Sequence, residues 1–289
     1  MSVPANTTTM AVTLPADVLH QYYRFSLYNS PFVAHREGRA IDLYPAGETV
    51  PSPVAGEVLE VKRVRAPPKP YAADHDVLVL VDTGDAVARL LHVDPVVAAG
   101  DRVAVGDDLG ETIRAGFFAP WVPDHLHLEF RDPGANLYRA DGSMVLDVGV
   151  TVEGVAWDGT GTVVETGETW ARLDAPAHPA PGERFVGLVN GENENGSGGV
   201  VDGGLPHYDA GGLLGGTADL VSVAGTRVGT AAGRTVAWDD IRVLANGRPV
   251  TGLALFCARD QSGVKIVGEN VSLAVGESVT VRVERQDSP

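Results

Sequence analysis

Apolar and polar positions alternate with a period of two most plainly in one stretch near the middle of this chain. In Asp124-His125-Leu126-His127-Leu128-Glu129-Phe130, the apolar Leu126, Leu128 and Phe130 interleave with His125, His127 and Glu129. Such alternation predicts a short β-strand with one face in a core. Further strands are predicted from Gln21 to Tyr28 and from Ile41 to Tyr44. The stretch from Thr49 to Val64 reads as a strand pair turning at Ala55-Gly56. A buried strand, Val77 to Val81, meets a turn at Asp82-Thr83-Gly84-Asp85 and returns as a hairpin from Ala86 to Val93. Ala66-Pro67-Pro68-Lys69-Pro70 reads as a rigid loop. Helical periodicity is scarce throughout, so the first half reads as an all-β domain running to Asp147.

From Val148 the texture changes. Short strands recur at the spacing expected of a β-sandwich. They are predicted at Gly161–Glu165, Phe185–Val189, Asp219–Val223, Thr235–Trp238, Ile241–Leu244 and Ser278–Val283. The Gly/Asn/Asp-rich stretch from Gly191 to Gly216 reads as a long loop, and the first 17 residues as disordered or as a short edge strand. The fold class is therefore all-β, with domains at 1–147 and 148–289, the second a β-sandwich-like unit of unknown role.

Composition narrows the function classes. A chain of 289 residues suggests two domains, and a hydrophobic content of 44% is enough for sizeable cores. No apolar run approaches the ~20 residues of a membrane span. Met1 to Val18 lacks the layout of a signal peptide, which predicts a cytoplasmic chain. The lone Cys257 excludes an internal disulfide and reads as a buried small hydrophobe. A formal net charge of −16 makes nucleic acid and anionic membranes poor partners. Lys62, Lys69 and Lys265 are the only lysines. This acidic, lysine-poor composition resembles that of proteins from salt-loving archaea, with a mildly acidic protein from a GC-rich bacterium as the other reading.

The candidate chemistry lies in the histidines. His125 and His127 project from one face of their strand, roughly 7 Å apart along it, and two imidazoles so held make half of a metal site. Taken alone, the motif equally describes a half-buried strand with two exposed histidines. His20, His75, His178 and His207 have no partner pattern and read as surface or loop residues.

Five pieces upstream and within this strand change the reading. They are His35 to Asp42, Val50-Pro51-Ser52-Pro53-Val54-Ala55-Gly56-Glu57-Val58, Leu91-His92-Val93, the Val97-to-Gly110 run, and Asp124 to Phe130. In this order and spacing they resemble the catalytic domain of the lysostaphin-type zinc metallopeptidases, the murein endopeptidases, over residues 30–132. The resemblance implies a lysostaphin-like antiparallel β-sheet core, the duplicated hybrid motif. It implies Zn²⁺ held by His35, Asp42 and His127, with His125 and His92 as catalytic residues beside the open coordination position. His125 is the better candidate for proton transfer. The implied activity is zinc metalloendopeptidase hydrolysis of a peptide substrate, the family-typical one being peptidoglycan cross-link peptides. Halophilic archaea lack murein, so composition and implied substrate pull apart.

The first ligand pair departs from the family pattern. Six residues separate His35 from Asp42, where three are usual. Seven positions along one strand would send the two side chains to opposite faces, so a bend is required, and Gly38 can supply it. The segment Ala40-Ile41-Asp42 resembles longer-spaced variants. Glu129 reads either as an acceptor orienting an imidazole or as a solvated residue. Prolines flanking Val54-Ala55-Gly56 are similar to biotinyl and lipoyl carrier hairpins, but no lysine sits at the turn. Two other classes stay open: a non-catalytic zinc-binding scaffold or activator, and a glycan- or protein-binding module with a structural, four-ligand zinc.

Overall fold

The computed structural model describes residues 11–191, 198–269 and 271–286. The chain is all-β, and among these residues the only helices are single turns at Ala16–Leu19 and Val33–Arg36. Neither is long and apolar enough to cross a membrane.

One antiparallel sheet organises the first half. In spatial order its strands are Cys257–Ala258, Tyr22–Ser26, Ala40–Pro45, Leu126–Arg131, Val87–Leu91, His75–Asp82, Gly56–Arg65 and Arg102–Val103. The apolar face of the Leu126–Arg131 strand behaves as its alternation predicts. Leu126 and Leu128 are fully buried with Ile41, Leu43 and Leu90 in the larger core. Each such side chain contributes roughly 1.5–3 kcal/mol of burial. The polar face is covered as well: His127 and Glu129 are both buried. The strand is thus not half-exposed, and its imidazoles sit inside the molecule.

Thr49–Pro51 and Gly56–Arg65 are both strands, but they do not pair with each other. Thr49–Pro51 joins Asp108–Thr112 and Val93–Pro95 in a small separate sheet, while Gly56–Arg65 pairs with His75–Asp82. The prolines at 51 and 53 lack the N–H groups a tight hairpin ladder would use. Ala11–Leu14 forms an edge strand, parallel to Val145–Val148.

In the second half, the strands predicted at 161–165, 185–189, 219–223, 235–238, 241–244 and 278–283 all occur, with bounds shifted by up to two residues. The Gly191–Gly216 stretch is not one long loop. It carries Val200–Leu205 and Ala210–Leu214, paired antiparallel, although residues 192–197 lie outside the described part. Glycine here marks close packing. A Cβ on Gly212 would fall 2.1 Å from the ring of Tyr28, and one on Gly211 1.9 Å from that of Trp238.

Two large apolar clusters form most of the interior, with a small third made by Leu78, Leu80 and Val87. The second is built from residues of the second half alone. The first includes Phe185, Val200, Leu214 and Cys257 beside the strands of the first half. The sheet also crosses over, because Cys257–Ala258 pairs with Tyr22–Ser26.

Candidate metal centre

Strand register creates the centre. In the ladder between Ala40–Pro45 and Leu126–Arg131, His127 lies directly opposite Asp42, and on its other side opposite Leu91. His35 arrives from outside the sheet. It occupies the one-turn helix Val33–Arg36, and the chain then reverses at Gly38, whose φ is +63°. A Cβ at Gly38 would sit 2.5 Å from the Tyr28 hydroxyl, so the turn requires glycine both by conformation and by space. This bend resolves the seven-residue offset between His35 and Asp42.

Three ligand-type atoms meet there. His127 Nδ1 is 3.0 Å from Asp42 Oδ1, His35 Nε2 is 3.2 Å from the same oxygen, and the two imidazole nitrogens are 3.1 Å apart. Around a tetrahedral ion with bonds of 2.0–2.1 Å, ligand atoms lie about 3.3 Å apart. A set of two imidazoles and one carboxylate suits zinc and its transition-metal neighbours better than magnesium or calcium, which favour all-oxygen shells. His35, Asp42 and His127 are all buried, and such a group could hold a metal ion.

Each imidazole is fixed by a partner on its far side. His35 Nδ1 lies 2.7 Å from the Leu27 carbonyl, to which it donates, leaving Nε2 free to bind. His127 Nε2 donates to Glu129 Oε1 at 2.9 Å, leaving Nδ1 free. Glu129 in turn accepts from Arg89 at 2.5 Å, from Arg131 and from the Ser143 hydroxyl. Outer hydrogen bonds of this kind set tautomer and ring orientation in metal sites. Glu129 is therefore an orienting acceptor, not a solvated residue.

His125 and His92 flank this group. His125 Nε2 is 3.5 Å from Asp42 Oδ1, and its Nδ1 donates to the Pro123 carbonyl at 2.8 Å. His92 sits 5.0 Å from His125, ring centre to ring centre, at the end of Val87–Leu91. Its φ of +70° is unusual for a residue with a Cβ. Asp76 holds it there by accepting from the His92 backbone N–H at 2.9 Å and from ring Nδ1 at 2.7 Å.

The electrostatics match this geometry. Burial alone would raise the Asp42 carboxyl, but His125, His35 and His127 hold it well below the usual range. Burial would lower His127, yet hydrogen bonds to Asp42 and Glu129 hold it up at about 9. Burial lowers His125 to about 4 against the pull of Asp42, with His92 adding to the drop, so His125 is neutral at pH 7. With three acceptor atoms this close, a positive charge belongs among them, and in the ion-free protein a proton on His127 supplies it.

Of the remaining histidines, His20 is exposed and His75 and His178 are partly exposed. His207 lies in a turn, as a loop residue would, but it is partly covered. It packs against Tyr208 and Trp121, and burial lowers it to about 4. Sequence reasoning missed Asp76, the one acidic residue opening the apolar Val77–Val81 run, which its position beside a candidate site could have flagged. It also missed Tyr208, because that residue belongs to the other half of the chain.

Residues 13–148 match the family model described as "Domain of unknown function (DUF8155) N-terminal domain", and residues 153–284 match its C-terminal counterpart. Together the two matches leave out only residues 1–12, 149–152 and 285–289. No curated protein matches it. Among solved structures, the solution structure of lysostaphin matches with 17% identity and a TM-score of 0.28, over 46% of this chain and 52% of that one. The chain thus spans about half the length of that lysostaphin chain. The centre opens into a cavity of about 380 Å³, walled by Phe32, Phe117, Phe118, Val122 and Tyr208. The junction between the two DUF8155 models falls where Val145–Val148 leads into Val152–Val155.

Proposed function

We propose that this chain is a zinc-dependent metallopeptidase of the lysostaphin type, acting on short peptides such as peptidoglycan cross-links. The observation that carries the reading is the convergence of His35 Nε2, Asp42 Oδ1 and His127 Nδ1 within 3.2 Å of one another, with two more histidines around the same cavity. The order of the five sequence pieces supports it independently.

His35, Asp42 and His127 would hold the ion. Zinc so bound lowers the pKa of a coordinated water toward ~7 and polarises a carbonyl. The chain's own groups supply the rest. His125, its Nδ1 committed to Pro123, turns Nε2 toward Asp42 and is placed to take a proton as general base. His92, its Nδ1–H committed to Asp76, presents the opposite ring edge to the cavity, where Nε2 can donate to a developing oxyanion once the ring is protonated to the imidazolium. Phe117 and Phe118 form an apolar wall that thins the water around that charge.

Metal analysis joined to a hydrolysis assay tests the reading. About one zinc per chain is expected, lost in Asp42→Ala and His127→Ala. His125→Ala should keep zinc while cleavage of a glycine-rich cross-link peptide falls about 10²-fold or more. Full zinc retention by Asp42→Ala would overturn the ligand set. Stoichiometric zinc with no cleavage of any peptide would point instead to a binding scaffold.

A further inference from the structure

A second cavity, of about 780 Å³, lies at the seam of the two halves. Tyr23, Arg24 and Trp121 wall it from one side, and Trp170, Arg172 and Lys265 from the other. Two of these residues are buried cations. Arg24 is 2% exposed and Lys265 6% exposed. Neither has a carboxylate partner among the described residues. The Arg24 guanidinium lies 3.4 Å from the ring centre of Phe256 and 4.3 Å from that of Tyr44, and its Nε has no hydrogen-bond partner. Lys265 Nζ donates to the Trp121 carbonyl at 2.6 Å and lies 5.0 Å from the ring centre of Trp170. Arg172, by contrast, is paired with Glu165 at 3.0 Å.

Two uncompensated cations in one buried wall are costly unless a counter-charge arrives. Burial pushes the Lys265 ammonium well down, and Arg24 pushes it further. A ligand anion would relieve both. The edge of the same cavity carries exposed carboxylates at Glu168 and Asp260. They disfavour a dianion and leave room for a ligand that is anionic only at its inner end. The aromatic walls suit a chain of apolar and amide groups between. Val122 lines both this cavity and the histidine centre, and the segment Trp121-Val122-Pro123 leads directly to His125.

We propose that this seam cavity binds the free carboxylate end of a short peptide, with Arg24 and Lys265 as the anion-holding pair. That the ligand is a peptide rests on the proposed peptidase function. The anion subsite itself rests on the two unpaired cations.

Calorimetric titration of the full chain, both zinc-loaded and chelator-treated, tests this with three probes: N-acetylglycylglycine, its C-terminal amide, and inorganic phosphate. The acid should bind saturably in both states and at least about tenfold tighter than the amide. It should also shift the fluorescence of Trp121 and Trp170. Lys265→Met removes a buried cation with little change of length. It should melt no lower than the parent chain and bind the acid about tenfold or more weakly; Arg24→Met is the second variant should the first not fold. Equal binding of acid and amide, binding of phosphate alone, or undiminished binding by the variant overturns the proposal. Failure of the peptidase reading is distinguishable. A chain that cleaves nothing yet separates acid from amide keeps the subsite, whereas one that cleaves peptides without that discrimination loses it.

Discussion

Between residues 11 and 148 the buried charged or titratable polar side chains comprise four histidines, three carboxylates and three arginines. In the described part of residues 149–286 they are only Asp202 and Lys265. Both of those two reach into the first half. Asp202 accepts from the Ser26 hydroxyl and the Leu27 N–H, both at 2.6 Å, and from the Tyr28 N–H at 3.1 Å. Lys265 donates to Trp121. The second half therefore has an interior almost free of charge of its own and directs its buried charge at its neighbour. Leu27, whose backbone Asp202 holds, is the residue whose carbonyl orients His35. Burying polar groups is expensive unless each is paired. The first half accepts that expense where a site is built, and the second half braces it.

The largest test of this asymmetry is to remove the brace. Composition predicts that residues 1–147 stand alone, but the first core includes Phe185, Val200, Leu214 and Cys257, and the sheet continues into Cys257–Ala258. A chain ending at Asp147 would expose the Tyr22–Ser26 edge and lose Asp202. It is expected to aggregate or to lack a cooperative thermal transition. A soluble, cooperatively melting, zinc-binding fragment would show that the second half contributes nothing essential.

Next in size is Glu129→Gln. The variant leaves Arg89 and Arg131 buried beside a neutral amide, and breaking a buried pair of this kind costs about 3–5 kcal/mol. Its pH signature is specific. Burial works to raise Glu129, but His127 and Arg89 hold it down at about 2. A carboxylate depressed on folding stabilises above its unfolded pKa of about 4.5, and that contribution fades as pH falls toward 2. The gap between parent and variant in chemical denaturation should therefore be full at pH 6 and shrink below about 4.5. A gap independent of pH would mean that the carboxylate charge is not what is lost.

How much of this was legible in the sequence follows from what sequence patterns encode. Period-two alternation located the strand of His127, because alternation is a local property that burial of one face imposes. The same logic required a bend between His35 and Asp42, and Gly38 provides it. The partners that complete each imidazole were hidden for a different reason. Asp76 lies 16 residues from His92, and Asp202 lies 175 from Leu27; only the register of the folded sheet brings them together. The Val200–Leu205 and Ala210–Leu214 strands were hidden because glycine reads locally as a loop residue. Here it admits the rings of Tyr28 and Trp238 to the sheet face.

Asp202→Asn should have a smaller effect of opposite pH sense. Burial raises the Asp202 carboxyl to about 6, against the hydrogen bonds that favour its charged form. A carboxyl raised on folding contributes stability below its unfolded pKa of about 3.8 and loses it as pH rises through about 6. The parent chain should thus lose ground to the variant between about pH 4 and 6, the reverse of the Glu129 comparison. Zinc affinity should fall about 10–100-fold, because an amide holds Leu27 and hence His35 less firmly. Zinc affinity equal to the parent's would sever the proposed link between the second half and the centre.

Salt should separate what the halves share from what divides them, and its effect is the smallest. Residues 1–148 carry 20 acidic and 12 basic side chains, and residues 149–289 carry 18 and 10, a net −8 in each. The buried charges differ between the halves, but the net charge does not. Molar KCl shortens the Debye length to roughly 3 Å, which screens repulsion among exposed carboxylates but hardly touches buried pairs. It also strengthens apolar burial to a lesser degree than sulfate. Both effects stabilise, and both act on the two halves alike. With zinc saturating, the melting temperature should rise steadily from dilute buffer to multimolar KCl as a single transition. Glu129→Gln should rise in parallel, since its deficit is buried and unscreened. A flat or falling melting temperature would remove the salt-adapted reading of the composition. A transition that splits as salt rises would mean that the halves are coupled by surface charge and not by the shared core and the reach of Asp202.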